Sequence, residues 1–393
     1  LTATSAFAEI TFGAWLRVIT GVGSNGEDVV MGTTNSWGGV RPARLNAAGV
    51  SEDGKAGFKL DFYFDNDEIW GHDNNIRIGD NGYLWVKPID QIQLSIGKFD
   101  GGETGFRGDF CYGSWNWLRP YNWIVDDEGL TFRGSHTDGL MARITPIDNL
   151  VVLVQLPVMN AKWGGNNNGY VAKTETEDAK NTAADVFKNA AYMASYSIEG
   201  VGTLKAGFFG ADDEKTVEGK KYNQTGTVNV AFDLNAIENL YVTVGAFFDI
   251  ADKETGEWHE KMKFTAGASY QVSDAMKFSV SGGYVKYMDK CSWLGNKDNA
   301  FGIGAGVDYV IMDGLTLNAD VRYKNVGYGK KGDDGSVSFL AGVVKSVGGN
   351  ASLQAGFQGS TNGCGLVQAD TGIPAVEKDD FVWAIPVGLS VFF

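Results

Sequence analysis

The sequence has 393 residues, of which 54 are glycine and 7 are proline, and 12% are aromatic. Its formal net charge of −15 argues against a nucleic-acid partner, because binding to phosphates requires basic patches that replace counterions. No segment approaches the roughly 18 consecutive apolar residues of a membrane-spanning helix, and a helical membrane protein is therefore excluded. Membrane-spanning strands remain possible, because only half of their residues face lipid.

The N-terminal segment has the form of an export signal. Residues 1–8 end in Ala6, Phe7 and Ala8, a small-x-small pattern typical of a signal-peptidase site. We therefore predict that residues 1–8 are a signal-peptide remnant or an N-terminal stub. The folded unit is predicted to span residues 9–393, with its first strand over residues 9–20.

Two distant segments show the alternation of a strand with one apolar face. In residues 55–65, apolar residues occupy every second position, and Lys59 and Asp61 lie between them. Residues 315–323 repeat the pattern, with Asp320 and Arg322 between apolar residues. A lysine facing lipid at mid-depth costs about 2–4 kcal/mol, so these charged residues are predicted to face a polar interior.

Short turns and long polar connections alternate along the chain. The predicted turns are residues 52–54, 87–90, 145–148, 197–200, 235–238, 271–274, 312–314 and 346–349. The long connections are residues 100–135, 159–189 and 358–380. Short turns at one end and long loops at the other are typical of outer-membrane β-barrels.

These segments predict an all-β fold: a single transmembrane antiparallel β-barrel with short periplasmic turns and long extracellular loops. The turns and the terminal segments give sixteen strands, and a further pair at residues 37–50 and 55–65 gives eighteen. We predict eighteen, with sixteen as the alternative because residues 37–50 alternate poorly. Either number is even, as both termini on the periplasmic side require.

The C-terminal strand carries bulky apolar residues at alternate positions and ends in an aromatic residue. These residues are Phe381, Trp383, Ile385, Val387, Leu389, Val391 and Phe393. With this strand and its overall architecture, the chain resembles the Gram-negative outer-membrane porins of the general-diffusion or sugar-selective type. The resemblance implies that the strand presents Phe393 as an assembly signal to the barrel-assembly machinery. It also implies a homotrimer in the outer membrane.

The same resemblance predicts a pore constriction loop at residues 100–135, which follow the strand at residues 91–99. This segment is rich in aromatic and charged residues. The residues predicted to act at the constriction are Asp100, Glu103, Arg107, Asp109, Trp115, Trp117, Arg119, Trp123, Asp126, Asp127 and Glu128. Its tryptophans are suited either to stacking on sugar rings or to packing against the wall, and packing is favoured.

Charged residues of the predicted strands are candidates for the lumen wall facing that loop. The resemblance implies that they oppose its carboxylates and order water across the pore. The candidates are Arg17, Arg41, Arg44, Lys59, Asp61, Arg143, Lys205, Lys263, Asp320 and Arg322. The alternative interpretation is that each is only a solvated charge. The overall acidity of the chain would favour cations in the pore, or only keep the surface loops soluble.

No pattern indicates catalysis or a cofactor. The adjacent residues Ser135 and His136 would point to opposite faces of a strand, so they do not form a nucleophile and base. The three histidines and three cysteines show no metal-ligand spacing, and the state of Cys111, Cys291 and Cys364 stays open. We predict no enzyme activity, no metal and no cofactor.

The predicted function is passive diffusion of ions and small hydrophilic solutes through a water-filled barrel, with membrane lipid around it. A sugar-selective channel is one alternative. A second is a surface structural or adhesive barrel whose long loops bind a partner. A third, a secreted carbohydrate-binding β-protein, would require Lys59, Asp61, Asp320 and Arg322 to face outward or lie buried in an apolar core.

Overall fold

A computed structural model describes residues 7–24, 28–34, 43–64, 76–99, 137–158, 182–217, 220–252, 260–291, 297–326, 335–361 and 381–393. These residues form nineteen strands in one antiparallel sheet and one short helix. The strands are β1 Phe7–Ser24, β2 Val29–Thr34, β3 Ala43–Ser51, β4 Ala56–Phe64, β5 Ile76–Ile89, β6 Ile92–Phe99, β7 Thr137–Ile147, β8 Leu150–Leu156, β9 Ala191–Ile198, β10 Gly202–Val217, β11 Lys220–Leu234, β12 Leu240–Asp252, β13 Glu260–Ser273, β14 Met276–Cys291, β15 Lys297–Met312, β16 Leu315–Lys324, β17 Ser336–Ser346, β18 Ala351–Ser360 and β19 Val382–Phe392. The helix, α1, is Ala183–Lys188.

The sheet closes on itself through its first and last strands. β19 pairs with β1 in antiparallel register from Trp15 opposite Phe392 to Ser24 opposite Trp383. Each other strand from β3 onward pairs with its neighbour in the chain. The closed barrel therefore has no open seam between its ends, as the sequence predicted.

The barrel wall has eighteen strand positions, because β2 and β3 share one of them. β2 pairs with the second half of β1, from Ile19 to Ser24, and β3 pairs with its first half, from Phe7 to Leu16. Both lie on the side of β1 opposite β19. The predicted count of eighteen is confirmed, and the alternative of sixteen is wrong.

All eight predicted turns separate consecutive strands at one end of the barrel. Asn149 and Asn239, each directly after one of these predicted turns, adopt φ of 65°, a conformation that asparagine tolerates better than most residues. Phe7 and Phe393 lie at the same end as these turns. The strand ends that border the longer connections lie at the opposite end, which we call the long-loop end.

Side chains alternate between an apolar outer surface and a more polar inner surface. On β16, Leu317 and Val321 are exposed outward, whereas Asn318, Asp320 and Arg322 are buried inward. The same alternation places Leu389 outward and Ser390 inward on β19. In the part of the chain that the structure describes, no helix is long and apolar enough to cross a membrane.

The helix α1 lies at the long-loop end, just before β9. Its first turn is closed by Thr182 and Asp185, since the Thr182 hydroxyl accepts from the Asp185 N–H at 3.3 Å and the Thr182 N–H donates to Oδ2 of Asp185 at 2.8 Å. This reciprocal pair of hydrogen bonds satisfies two backbone N–H groups at the start of the helix.

Candidate functional site in the barrel interior

The interior of the barrel is the candidate site, and its first polar cluster joins β3, β4 and β5. Nη2 of Arg44 lies 2.6 Å from Oδ2 of Asp61, and that oxygen also accepts from the backbone N–H and Nδ2 of Asn81 at 3.1 and 2.8 Å. Nε of Arg44 donates to Oδ1 of Asn46 at 2.6 Å. The arginine carbon Cζ also lies 5.5 Å from the centre of the Tyr63 ring. This network fixes the Asp61 carboxylate, which is fully buried.

A second cluster spans β10, β11 and β12. Nζ of Lys205 donates to Oδ2 of Asp233 at 2.6 Å, and the hydroxyl of Thr243 donates to Oδ1 of the same carboxylate at 2.7 Å. All three side chains are almost completely buried. The two oxygens of Asp233 are therefore held by different strands, which fixes the position of the charge pair on the wall.

A third polar cluster lies on the inward face of β15 and β16. Nδ2 of Asn318 donates to Oδ1 of Asp308 across the pair. Asp320, Arg322 and Lys324 continue along the same inward face of β16, and all three are buried. The strand thus presents a row of hydrogen-bonding and charged groups to the interior.

Other sectors of the interior differ in character. The inward face of β6 to β11 carries a buried apolar cluster, which consists of Phe99, Met141, Leu153, Ala191, Met193 and Ala231. The rings of Phe99 and Tyr83 lie 5.2 Å apart at its edge. On β17 to β19 the inward side chains are mostly small hydroxyls and amides, including Ser338, Gln354, Gln358 and Ser390.

Among the inward strand positions whose side chains the structure describes, basic residues outnumber acidic ones. The basic residues are Arg44, Lys59, Arg143, Lys205, Lys263, Lys277, Arg322 and Lys324, and the acidic ones are Asp61, Asp233, Asp249, Asp308 and Asp320. The described part of this surface therefore carries more basic than acidic side chains.

Most residues predicted for the lumen wall are found on the inward side. They are Arg44, Lys59, Asp61, Arg143, Lys205, Lys263, Asp320 and Arg322. Arg17 lies within β1, opposite Ser390 of β19, but its side chain is not among those that the structure describes. Arg41 lies outside the described residues.

The predicted constriction loop lies outside the described residues. This applies to each of its candidates: Asp100, Glu103, Arg107, Asp109, Trp115, Trp117, Arg119, Trp123, Asp126, Asp127 and Glu128. The described strands β6 and β7 flank this segment, ending at Phe99 and beginning at Thr137.

Sequence reasoning missed several members of the interior clusters. Asn81, Asp233, Thr243 and Lys324 all lie at inward positions of strands. The alternation in β11, where Asp233 lies between Phe232 and Leu234, could have indicated an inward carboxylate. Asn81 could not be found this way, because the pairing of β4 and β5 shifts register between Leu60 and Phe62.

Comparison with known proteins assigns the fold to a family. A family model described as the porin subfamily matches residues 143–350, more than half of the chain. The chain belongs to the porin subfamily. This porin is an outer-membrane channel of a Gram-negative cell envelope, and its family and fold are those of passive channels. A search of curated proteins finds no match.

Solved structures share the fold at low sequence identity. An anion-selective porin from Comamonas acidovorans aligns with a TM-score of 0.54 and 13% identity, over 98% of this chain and 99% of that chain. OmpT of Vibrio cholerae, in a trimer form, aligns with a TM-score of 0.46 and 12% identity, over 98% and 99% of the two chains. A Rhodopseudomonas blastica porin mutant aligns with a TM-score of 0.44 and 13% identity, over 98% and 100%.

Proposed function

We propose that ions and small hydrophilic solutes diffuse along the inward polar surface, and that residues 100–135 narrow this path. The observation that carries the proposal is the set of fixed charges inside a closed barrel of eighteen strand positions, above all the pairs Arg44–Asp61 and Lys205–Asp233. Barrels of about 16–18 strands leave an aqueous channel, and these charge pairs lie on the inward side of its wall.

The apolar interior cluster supports the placement of the constriction loop. Phe99 and Met141 belong to the two strands that flank residues 100–136, and both are buried although they face the inside of the barrel. Apolar side chains in a water-filled channel are stabilised when other apolar groups cover them. The aromatic residues Trp115, Trp117 and Trp123 of the adjoining segment have the chemistry to do so.

In this proposal, basic side chains on the wall face carboxylates of the loop across the pore. Lys263 and Arg322 lie on the inward face, and the proposed loop carries six carboxylates, those of Asp100, Glu103, Asp109, Asp126, Asp127 and Glu128. A transverse field between the two surfaces orders water and favours small, well-hydrated solutes over large dipolar ones.

The family resemblance further supports a homotrimer and recognition of the last strand by the barrel-assembly machinery. The outward residues Trp383, Ile385, Val387, Leu389 and Val391 form an unbroken apolar row on β19. A trimer is tested by the mass of the purified complex in detergent, where a monomer alone would contradict it.

The function is tested by recording from the purified protein in planar bilayers. We expect discrete conductance steps that scale with salt concentration. Replacing the charged residues Lys263 and Arg322 by glutamine should alter ion preference while steps persist. An absence of steps from protein that is folded and inserted would overturn the channel, and would favour a barrel that only anchors the surface loops.

A further inference from the structure

The inward face of β13 to β15 is built from very small residues. Its adjoining inward positions are occupied by Gly267, Ser281, Gly283, Gly302, Gly304 and Gly306, which we call the glycine recess. The registers place them side by side, with Ser281 opposite both Gly267 and Gly304. Because none of these residues has a side chain longer than that of serine, the wall itself fills little of the lumen here.

Two polar side chains border the glycine recess along one row across the strands. Thr265 on β13 lies opposite Gly283, which in turn lies opposite Gly302. Gly302 lies opposite Lys324 on β16. Three strand spacings of about 4.8 Å place the two ends of this row about 14 Å apart. The row therefore has a hydroxyl at one end, an ammonium group at the other and glycines between them.

Both end groups of the row are shielded from water. Thr265 is 6% exposed, and its hydroxyl has no hydrogen-bond partner among the described residues. Lys324 is also 6% exposed, and its ammonium group has no ion pair or hydrogen bond within the described strands. A shielded ammonium group is unfavourable without an anion beside it, and a shielded hydroxyl is unfavourable without a hydrogen bond. An anion is therefore favoured at one end of the row and a hydrogen-bonding group at the other.

The carboxylates of the adjoining strands do not neutralise Lys324. The carboxylate of Asp308 accepts a hydrogen bond from Asn318, towards the short-turn end. Asp320 lies on the same face of β16 as Lys324, but four residues and about 13 Å away along the strand. Arg322 lies between them and adds a second positive charge next to Lys324. The described part of this sector therefore supplies no counter-ion for Lys324.

We propose that the glycine recess binds small organic anions that carry hydroxyl groups, the chemistry of a sugar phosphate. The anionic group lies against Lys324, a hydroxyl group of the solute bonds the hydroxyl of Thr265, and the body of the solute lies over the glycines. An inorganic anion meets only one end of the row and a neutral sugar only the other, so each binds more weakly. The inference rests on the proposed function, because a solute reaches the recess through the lumen.

Binding is tested by block of the ionic current through the purified porin in planar bilayers, with glucose 6-phosphate, glucose and inorganic phosphate as probes. We expect glucose 6-phosphate to block at a concentration about tenfold lower than either other probe. Lys324→Gln removes a charge-assisted hydrogen bond and should raise this concentration by about tenfold or more, whereas Lys324→Arg should retain most of the block. Lys277→Gln is the matched control, because Lys277 is also an inward lysine but lies at the short-turn end of β14.

The other end of the row is tested by Thr265→Val, which removes the hydroxyl at nearly the same volume. It should weaken the block by glucose 6-phosphate about two- to tenfold and leave the block by inorganic phosphate unchanged. Thr316→Val is the control, since Thr316 is an inward threonine of β16 near the short turns. Equal block by all three probes would overturn the proposal. So would equal effects of Lys277→Gln and Lys324→Gln.

Calorimetric titration of the detergent-solubilised porin with glucose 6-phosphate separates the recess site from the channel, because it does not require conduction. Current steps without block and without binding heat would remove the recess site and leave the channel intact. Binding heat that Lys324→Gln abolishes, in a protein that gives no current steps, would remove the channel and keep the site.

Discussion

Phe393 and Ala14 exchange two backbone hydrogen bonds. The N–H of Ala14 donates to the carbonyl oxygen of Phe393 at 3.0 Å, and the N–H of Phe393 donates to the carbonyl oxygen of Ala14 at 2.8 Å. Phe393 is 79% exposed, and its position on the strand places the side chain on the outside of the barrel. Phe393 therefore has two separable features, a backbone that completes the closing pair and an exposed aromatic side chain.

Deletion of Phe393 should reduce assembly in the outer membrane and leave the conductance of assembled protein unchanged. It removes both hydrogen bonds to Ala14, which together contribute about 1–3 kcal/mol. Phe393→Ala keeps the backbone pair and removes only the ring. Because the proposed signal is the aromatic ring, we expect both the deletion and Phe393→Ala to assemble poorly in cells. The amount of heat-modifiable barrel on gels measures assembly. Normal assembly of the deletion variant would contradict the assembly-signal role.

Asp61→Ala should destabilise the barrel by about 2–4 kcal/mol. The change leaves Arg44 and the N–H groups of Asn81 without their shared acceptor in a largely buried site. Urea unfolding in detergent, followed by tryptophan fluorescence, measures the free energy of unfolding. The double variant with Arg44→Met should lose less than the sum of the two single changes, and simple additivity would show that the pair is not coupled.

Lys205→Gln and Asp233→Asn should shift ion preference in opposite directions. The first variant leaves the Asp233 carboxylate without its cation and should favour cations, and the second should favour anions. A unit charge about 4 Å from an ion contributes about 1 kcal/mol in water, so the permeability ratio should change by up to about fivefold. Reversal potentials in a salt gradient measure the shift. Thr243→Val keeps all charges and serves as control, and identical potentials for all three variants would remove the pair from the solute path.

Asn149→Val should destabilise the turn between β7 and β8, whereas Asn149→Gly should not. Asn149 adopts φ of 65°, which costs roughly 1–2 kcal/mol for a residue with an ordinary side chain and more for a β-branched one. The same pair of changes at Asn239 provides an independent repeat. Equal unfolding midpoints for the valine and glycine variants would contradict this account.

The turn at Ser51 and Asp53 gives a pH prediction. The hydroxyl of Ser51 donates to Oδ1 of Asp53 at 2.6 Å, and this bond, with the N–H of Lys55, holds the pKa of the Asp53 carboxyl below its ordinary value of 3.8. Because the pKa is lowered on folding, the stabilisation is present above pH 3.8 and is lost as the pH falls through the lower folded value. In Ser51→Ala the carboxyl should titrate closer to pH 3.8, as carbon-detected NMR of labelled aspartate can measure. An unchanged titration would contradict the role of Ser51.

The period of two made most of the fold predictable from sequence. It gave the alternation of β4 and β16, the eight turns and the closing contact of the last strand with the first. It did not give β2, because six residues from Val29 to Thr34 are too short to stand out. Nor did it give the contacts of Asp233, since the pairing of Lys205, Asp233 and Thr243 depends on the register between three strands. The register between strands depends on the closed sheet as a whole, and the sequence of one strand does not determine it.

The aromatic residues at the two ends of β19 also have a consequence for the surrounding bilayer. Trp383 stacks on Phe357 near the long-loop end, and Phe393 lies ten residues away at the other end. Ten residues of strand measure about 33 Å, and a tilt of about 40° reduces their height to about 25 Å. The aromatic residues of the terminal strand thus define the height of the apolar band on this side of the barrel. Its height matches a thin hydrocarbon layer, so thicker bilayers should have to compress around this porin.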